Sequence, residues 1–144
     1  MYRIFGVELS PYSVKVRSYF RYKRIAHEWV GRNAANEAEF QKLAKLPLVP
    51  LVIAPDGTTF QDSTPIIEHF ETLHPDPSIH PDDAVAGFVS ALLEEWADEW
   101  GNKWMFHMRW SRRADQEAAA AQIAATMTGA TGEELKQATA FIKE

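Results

Sequence analysis

Residues 46–70 read LPLVPLVIAPDGTTFQDSTPIIEHF, and this stretch decides the fold. Leu51, Val52 and Ile53 form a short apolar run with β-branched members, as in a buried strand. Asp56-Gly57 follows, and this dipeptide predicts a type I′ hairpin turn with positive φ at both central positions. Thr58, Thr59 and Phe60 then return as the antiparallel partner. Ser63-Thr64-Pro65 predicts a helix start, with hydroxyls to accept from the first free N–H groups and a proline where no N–H is needed. Ile66, Ile67, Phe70 and Leu73 recur behind it at helical spacing.

Two features of the stretch point beyond folding. Val49-Pro50 sets a proline directly ahead of a strand, and an X-Pro bond is the one kind that readily takes the cis form. Asp62-Ser63 sets a carboxylate and a hydroxyl at a helix N-terminus. That end carries partial positive charge and unpaired donors, so it suits an anionic group, while Asp62 suits a cationic one beside it. The pair therefore fits a zwitterionic amino-acid head group. The ordinary alternative is a helix cap and a strand-entry proline.

Outward from this stretch toward the N-terminus, residues 35–45 form a modest helix carrying Phe40 and Leu43, and residues 25–30 a second strand. Ser10-Pro11 opens an earlier helix, with Pro11 at its first position. Val14, Val16, Tyr19 and Phe20 supply its apolar face, and Lys15, Arg17, Arg21 and Lys23 its wet one. Residues 2–7 make the first strand. The order is β-α-β-α-β-β-α. A strand-helix-strand start implies parallel pairing with a right-handed crossover, to which the hairpin adds an antiparallel pair.

The totals bound the function. The chain has 144 residues, 46% of them apolar, which is enough for a sizeable core. A net charge of -5 argues against nucleic acid as the main partner. No signal-peptide core and no membrane-length apolar run is visible, so a soluble cytoplasmic protein is the expectation. There is no cysteine, which excludes a thiolate nucleophile, a redox CxxC pair and a thiolate-ligated metal. The five histidines show no metal spacing, and no metal is implied.

The element order, the SPYS of residues 10–13, the VP before the third strand and the QDSTPIIEHFE of residues 61–71 together resemble the amino-terminal domain of glutathione S-transferases. The resemblance covers residues 2–73 well and the later helices more loosely. It implies a thioredoxin-like α/β fold, with glutathione as cosubstrate. By that resemblance Val49, ahead of a cis Pro50, pairs through its backbone with the cysteinyl part of glutathione, and Asp62 and Ser63 hold the γ-glutamyl end. Ser10 would donate a hydrogen bond to the glutathione sulfur, with Ser13 and Tyr12 as rivals for that role. A free thiol of pKa about 8.5 is mostly protonated at neutral pH, and both a hydroxyl donor and a helix N-terminus favour its thiolate. Leu48 stands where similar enzymes often carry a polar residue for the glycyl carboxylate, which leaves Arg32 and Lys45 as candidates.

Residues 74–81, HPDPSIHP, carry three prolines and mark a linker. The expected division is a glutathione-binding domain over 1–74, a linker over 75–81 and a partial all-helical domain over 82–144. Asp82-Asp83 starts a long helix, and Phe88, Leu92, Trp96, Trp100, Trp104 and Met108 recur along it at every fourth residue. Such a row drifts by about 40° per step and wraps round the helix. Core packing is expected for most of it, with Met105, Phe106 and Met108 suited to walling an apolar pocket. A helix over 115–127 and another opened by a Thr131–Glu134 capping box complete the chain. The transferases have a longer helical domain, so a truncated or naturally short form is expected.

The resemblance thus implies conjugation of the glutathione thiol to an apolar electrophile by a homodimer. Rival expectations are a glutathione-dependent isomerase, lyase or dehalogenase, and a non-catalytic binding module on the same fold.

Overall fold

The computed structural model describes residues 1–143. Its element order is β1 (Tyr2–Gly6), α1 (Pro11–Tyr22), β2 (His27–Gly31), α2 (Glu37–Leu43), β3 (Leu51–Ile53), β4 (Thr59–Gln61), α3 (Ser63–Leu73), α4 (Ala84–Trp96), a π turn (Ala97–Gly101), α5 (Asn102–Ser111), α6 (Arg113–Thr128) and α7 (Gly132–Lys143). The strands form one sheet in the order β2-β1-β3-β4. β1 and β2 run parallel, from Tyr2 opposite His27 to Gly6 opposite Gly31, as the β-α-β start requires. β3 runs antiparallel to both β1 and β4. This is the expected thioredoxin-like β-α-β-α-β-β-α order, followed by helices.

Strand alternation divides the core between the two sheet faces. Ile4 and Val52 pack with Val16, Phe20, Ile66 and Phe70, which places α1 and α3 on one face. Phe5, Leu51 and Ile53 pack with Phe40, which places α2 on the other.

The hairpin differs from expectation. Only Gly57, at φ 87°, has positive φ; Asp56 does not. The Ala54 N–H donates to the Thr58 carbonyl at 2.8 Å, and the Gly57 N–H to the Ala54 carbonyl at 2.9 Å. The loop is therefore a three-residue one over Pro55, Asp56 and Gly57, with Gly57 supplying the single left-handed position. Pro55 is the reason: its fixed φ suits the first position of an ordinary turn, and Pro-Asp-Gly is read as a unit.

The chain divides into two compact units. One comprises residues 1–32 and 38–91, the other residues 33–37 and, among the described residues, 92–143. In the second unit α6 buries Ala119, Ala120 and Ala124. Arg112 is extended at φ -114°, ψ 137°, so it separates α5 from α6, and Arg113 begins α6. The Thr131–Glu134 capping box is not made. Thr131 contributes its carbonyl, which accepts from the Leu135 N–H at 3.4 Å, and Gly132 at φ 60° takes the first helical position.

Candidate functional site

Strand register brings the three predicted site stretches to one end of the sheet. Phe5 on β1 pairs with Leu51 on β3, and Leu51 pairs with Gln61 on β4. The end of β1, the start of β3 and the end of β4 therefore coincide. The chain leaves β1 toward Ser10, enters β3 from Val49-Pro50 and leaves β4 into Asp62-Ser63. Ends of parallel strands that feed helix N-termini are where open α/β sheets bind ligands.

Ser10 is the N-cap of α1, with Pro11 at the first helical position, as the sequence predicts. Its Oγ accepts the Ser13 N–H at 3.2 Å. A hydroxyl has one donor and two acceptor sites, so this cap leaves the proton free to be donated outward. Ser13 is fully buried, and its own hydroxyl finds no partner among the described residues. A ligand sulfur has no path to it, which separates Ser13 from Ser10; Tyr12 is half-buried. The segment leading to Ser10 is held by Arg17, whose guanidinium meets both Glu8 carboxylate oxygens, at 2.6 and 2.8 Å, and stacks on the Trp29 ring at 4.1 Å. That pairing holds the Glu8 carboxyl below its ordinary range.

The Val49–Pro50 peptide bond is cis. Pro50 is buried and Val49 half-buried, and no backbone hydrogen bond from Val49 to the described residues is found. A main-chain donor and acceptor just ahead of β3 are what an added peptide-like segment requires.

α3 begins at Ser63, as expected, with Asp62 and not a hydroxyl residue at its N-cap position. Asp62 adopts φ 74° and ψ 129°, a positive-φ backbone outside the left-handed helical well that costs a non-glycine residue on the order of 1–3 kcal/mol. The Asp62 carboxylate makes no capping bond and is exposed. Ser63 follows as the first helical residue, 3% exposed. The strained backbone thus leaves the carboxylate unspent on its own helix, at an N-terminus whose partial positive charge suits an anion. Thr64, next along, accepts from Lys15 Nζ at 3.1 Å, which ties α1 to the start of α3.

The model of the glutathione S-transferase N-terminal domain matches residues 4–78, just over half of the chain. The chain belongs to the glutathione S-transferase superfamily. A curated relative, the rice (Oryza sativa subsp. japonica) protein named "Probable glutathione S-transferase GSTU6", is 29% identical over 147 residues, covering 91% of this chain and 60% of the relative. The crystal structure of a glutathione S-transferase from Rhodospirillum rubrum F11 aligns with TM-score 0.67 at 22% identity, covering 99% of this chain and 61% of that one. One from Methylobacterium radiotolerans JCM 2831, in complex with glutathione sulfonate, aligns with TM-score 0.61 at 21% identity, covering 99% and 62%. This superfamily member thus spans about three fifths of the length of these relatives.

Sequence reasoning missed one residue of this superfamily member's candidate site. Gln61 ends β4, and its side-chain amide makes four hydrogen bonds to the loop before Val49. Its Oε1 accepts from the Lys45 and Leu46 N–H groups at 2.7 and 3.0 Å. Its Nε2 donates to the Leu46 and Leu48 carbonyls, both at 2.9 Å. All four partners are backbone groups, which carry no residue-type signature; the only signal was an amide beside Asp62. Arg32, a candidate for the glycyl carboxylate, donates to the Pro47 carbonyl at 3.0 Å and lies over the Phe40 ring at 3.9 Å. Lys45, the other candidate, is exposed.

Proposed function

We propose that this chain binds glutathione at the sheet end and joins its thiol to an apolar electrophile. The observation that carries the reading is Asp62: a non-glycine residue at φ 74° with an exposed carboxylate unspent on its own helix, beside the buried Ser63. Such strain persists where the surroundings over-determine it, as at ligand sites. The γ-glutamyl ammonium pairs with Asp62, and its carboxylate takes the Ser63 hydroxyl and the N-terminus of α3. The cysteinyl main chain pairs with the Val49 backbone. Arg32, held against the 45–48 loop through Pro47, is the group we assign to the glycyl carboxylate.

The thiol then lies at the N-terminus of α1. Ser10 donates its hydroxyl proton to the sulfur, and with the helix terminus lowers the thiol pKa. The thiol proton leaves to solvent. The thiolate attacks an electrophilic carbon, a C–S bond forms, and the leaving group departs with the electron pair of its bond. The chain contains no cysteine, so glutathione supplies the only thiol. The working form we propose is a cytoplasmic homodimer.

The test is calorimetry with reduced glutathione on the parent and on Asp62→Asn, followed by conjugation to an aryl halide. Parent binding is expected, and Asp62→Asn should weaken it by about 1.5–3 kcal/mol through loss of a charge-assisted pair. Absence of parent binding overturns the reading. Binding without conjugation points to an isomerase, lyase or dehalogenase, or to a binding module.

A further inference from the structure

We propose that Gln61 is a positioning residue for glutathione: its amide fixes the 45–48 loop, and through it the Val49 backbone, against the start of α3. This rests on the glutathione reading above. The two sides of that site are remote in sequence, since Gln61 and Leu48 are 13 positions apart. No ladder pair joins the loop to β4, because β3 begins only at Leu51. Lys45, Leu46 and Leu48 are all exposed, so burial does not hold the loop either. What holds it at this edge is the Gln61 side chain.

The geometry uses the amide completely. Glutamine offers two acceptor sites on its oxygen and two donors on its nitrogen, and all four are taken at 2.7–3.0 Å. No hydrogen-bonding capacity is left for a ligand, which makes Gln61 a positioning residue and not a contact. It is also covalently joined to Asp62. The strained backbone at Asp62 and the loop that delivers Val49 are therefore set by adjacent residues, and the γ-glutamyl and cysteinyl subsites share one fixture. A ligand that spans both gains affinity when their separation is set before it binds. Arg32 holds the same loop at Pro47 from another side, so losing Gln61 loosens the loop without freeing it entirely.

The experiment compares the parent with Gln61→Met, which keeps the side-chain length and removes every hydrogen bond, and with Gln61→Glu, which keeps the two acceptor bonds and removes both donors. Three quantities are read: amide hydrogen exchange at Lys45 and Leu46, affinity for reduced glutathione, and the pKa of the bound thiol from thiolate absorbance. In Gln61→Met, exchange at the two amides should accelerate at least about tenfold while the β3 amides stay protected. Glutathione affinity should fall about tenfold with the bound-thiol pKa unchanged, since Ser10 is untouched. In Gln61→Glu the two amides should stay protected while affinity still falls, because the Leu46 and Leu48 carbonyls lose their donors. Equal affinity in parent and variants overturns the proposal, as does a shifted thiol pKa at unchanged affinity, or an affinity loss in Gln61→Met with exchange unaltered. A parent that fails to bind glutathione overturns the functional reading itself, and is recognised before any variant is made.

Discussion

At Ser10 one hydroxyl is asked for two things, and the geometry allows both: its oxygen accepts the Ser13 N–H at 3.2 Å while its proton is free to donate. A cap alone and a thiolate donor therefore predict different consequences for Ser10→Ala. Loss of the cap should cost about 0.5–2 kcal/mol of stability in either case. Loss of a thiolate donor should in addition raise the pKa of bound glutathione by about 1–2 units, with affinity nearly intact because Val49, Asp62 and Ser63 hold the rest of the ligand. Conjugation should then be slowed at neutral pH, and the deficit should shrink as pH rises. A rate equal to the parent's at every pH would reduce Ser10 to a cap and turn attention to Tyr12.

At the scale of elements, α1 departs from its amphipathic reading at its last turn. Lys23 was placed on the wet face, but it is buried, 7% exposed, with its ammonium between Glu71 of α3, at 2.7 Å, and the carbonyls of His74 and Pro77. Glu71 also accepts from the Tyr19 hydroxyl at 2.8 Å and the Ile79 N–H at 3.0 Å. The proline-rich segment after α3 is thereby strapped to α1 and α3. Arg24 enables this by taking the left-handed position after α1, at φ 55°: the Ile25 N–H then reaches the Phe20 carbonyl and the Arg24 N–H the Arg21 carbonyl. Burial pushes the Glu71 carboxyl up, but Lys23, the Ile79 N–H and Tyr19 outweigh it and hold it below the ordinary 4.5. A carboxyl lowered by folding stabilises the fold above its unfolded pKa, and that contribution is lost as pH falls through the folded value. Thermal melts should therefore show the parent losing stability below about pH 4.5, with a shallower acid limb in Glu71→Gln. Glu71→Ala should cost about 3–5 kcal/mol at neutral pH by leaving Lys23 buried and unpaired. Parallel acid limbs in parent and Glu71→Gln would assign the pH dependence elsewhere.

At the scale of the whole molecule, the apolar row expected to be mainly core is exposed. Phe88, Leu92, Trp96, Trp100, Trp104 and Met108 are between 44% and 68% exposed. The helix carrying them is interrupted by the π turn, where the Asn102 N–H bonds to the Ala97 carbonyl. A four-residue step overshoots an α-turn but falls short of a wider π turn, so the drift of the row is offset there. The Trp96 and Trp104 rings meet edge to face at 5.2 Å. Within the second unit the exposed side chains from Leu92 to Met108 suit a partner, and a two-fold copy is the one proposed above. Sedimentation should give a mass of two chains at micromolar concentration, and Trp100→Glu should shift it toward one chain with helical content retained. A monomeric parent would remove the dimer.

Local signals decided much of this protein in the sequence alone. Ser10-Pro11 marks a helix start from its own chemistry, the weak alternation of residues 2–7 and the apolar run of residues 51–53 need no partner to be read, and the first strand-helix-strand unit points to the parallel pair that β1 and β2 form. These determined the order of elements and singled out the three stretches, which the strand register then brings to one end of the sheet. The tertiary structure decided what depends on groups far apart in the chain. Lys23 looks like a surface cation until Glu71 and the carbonyls of His74, Pro75 and Pro77 close over it. Asp62 is an ordinary cap residue until the β4–α3 corner drives its φ to 74° and releases its carboxylate. Gln61 is one polar residue among many until four backbone groups of a distant loop converge on its amide. Periodicity and capping are short-range and written in side-chain type, whereas backbone donors and acceptors are the same at every position and acquire meaning only where the fold brings them together.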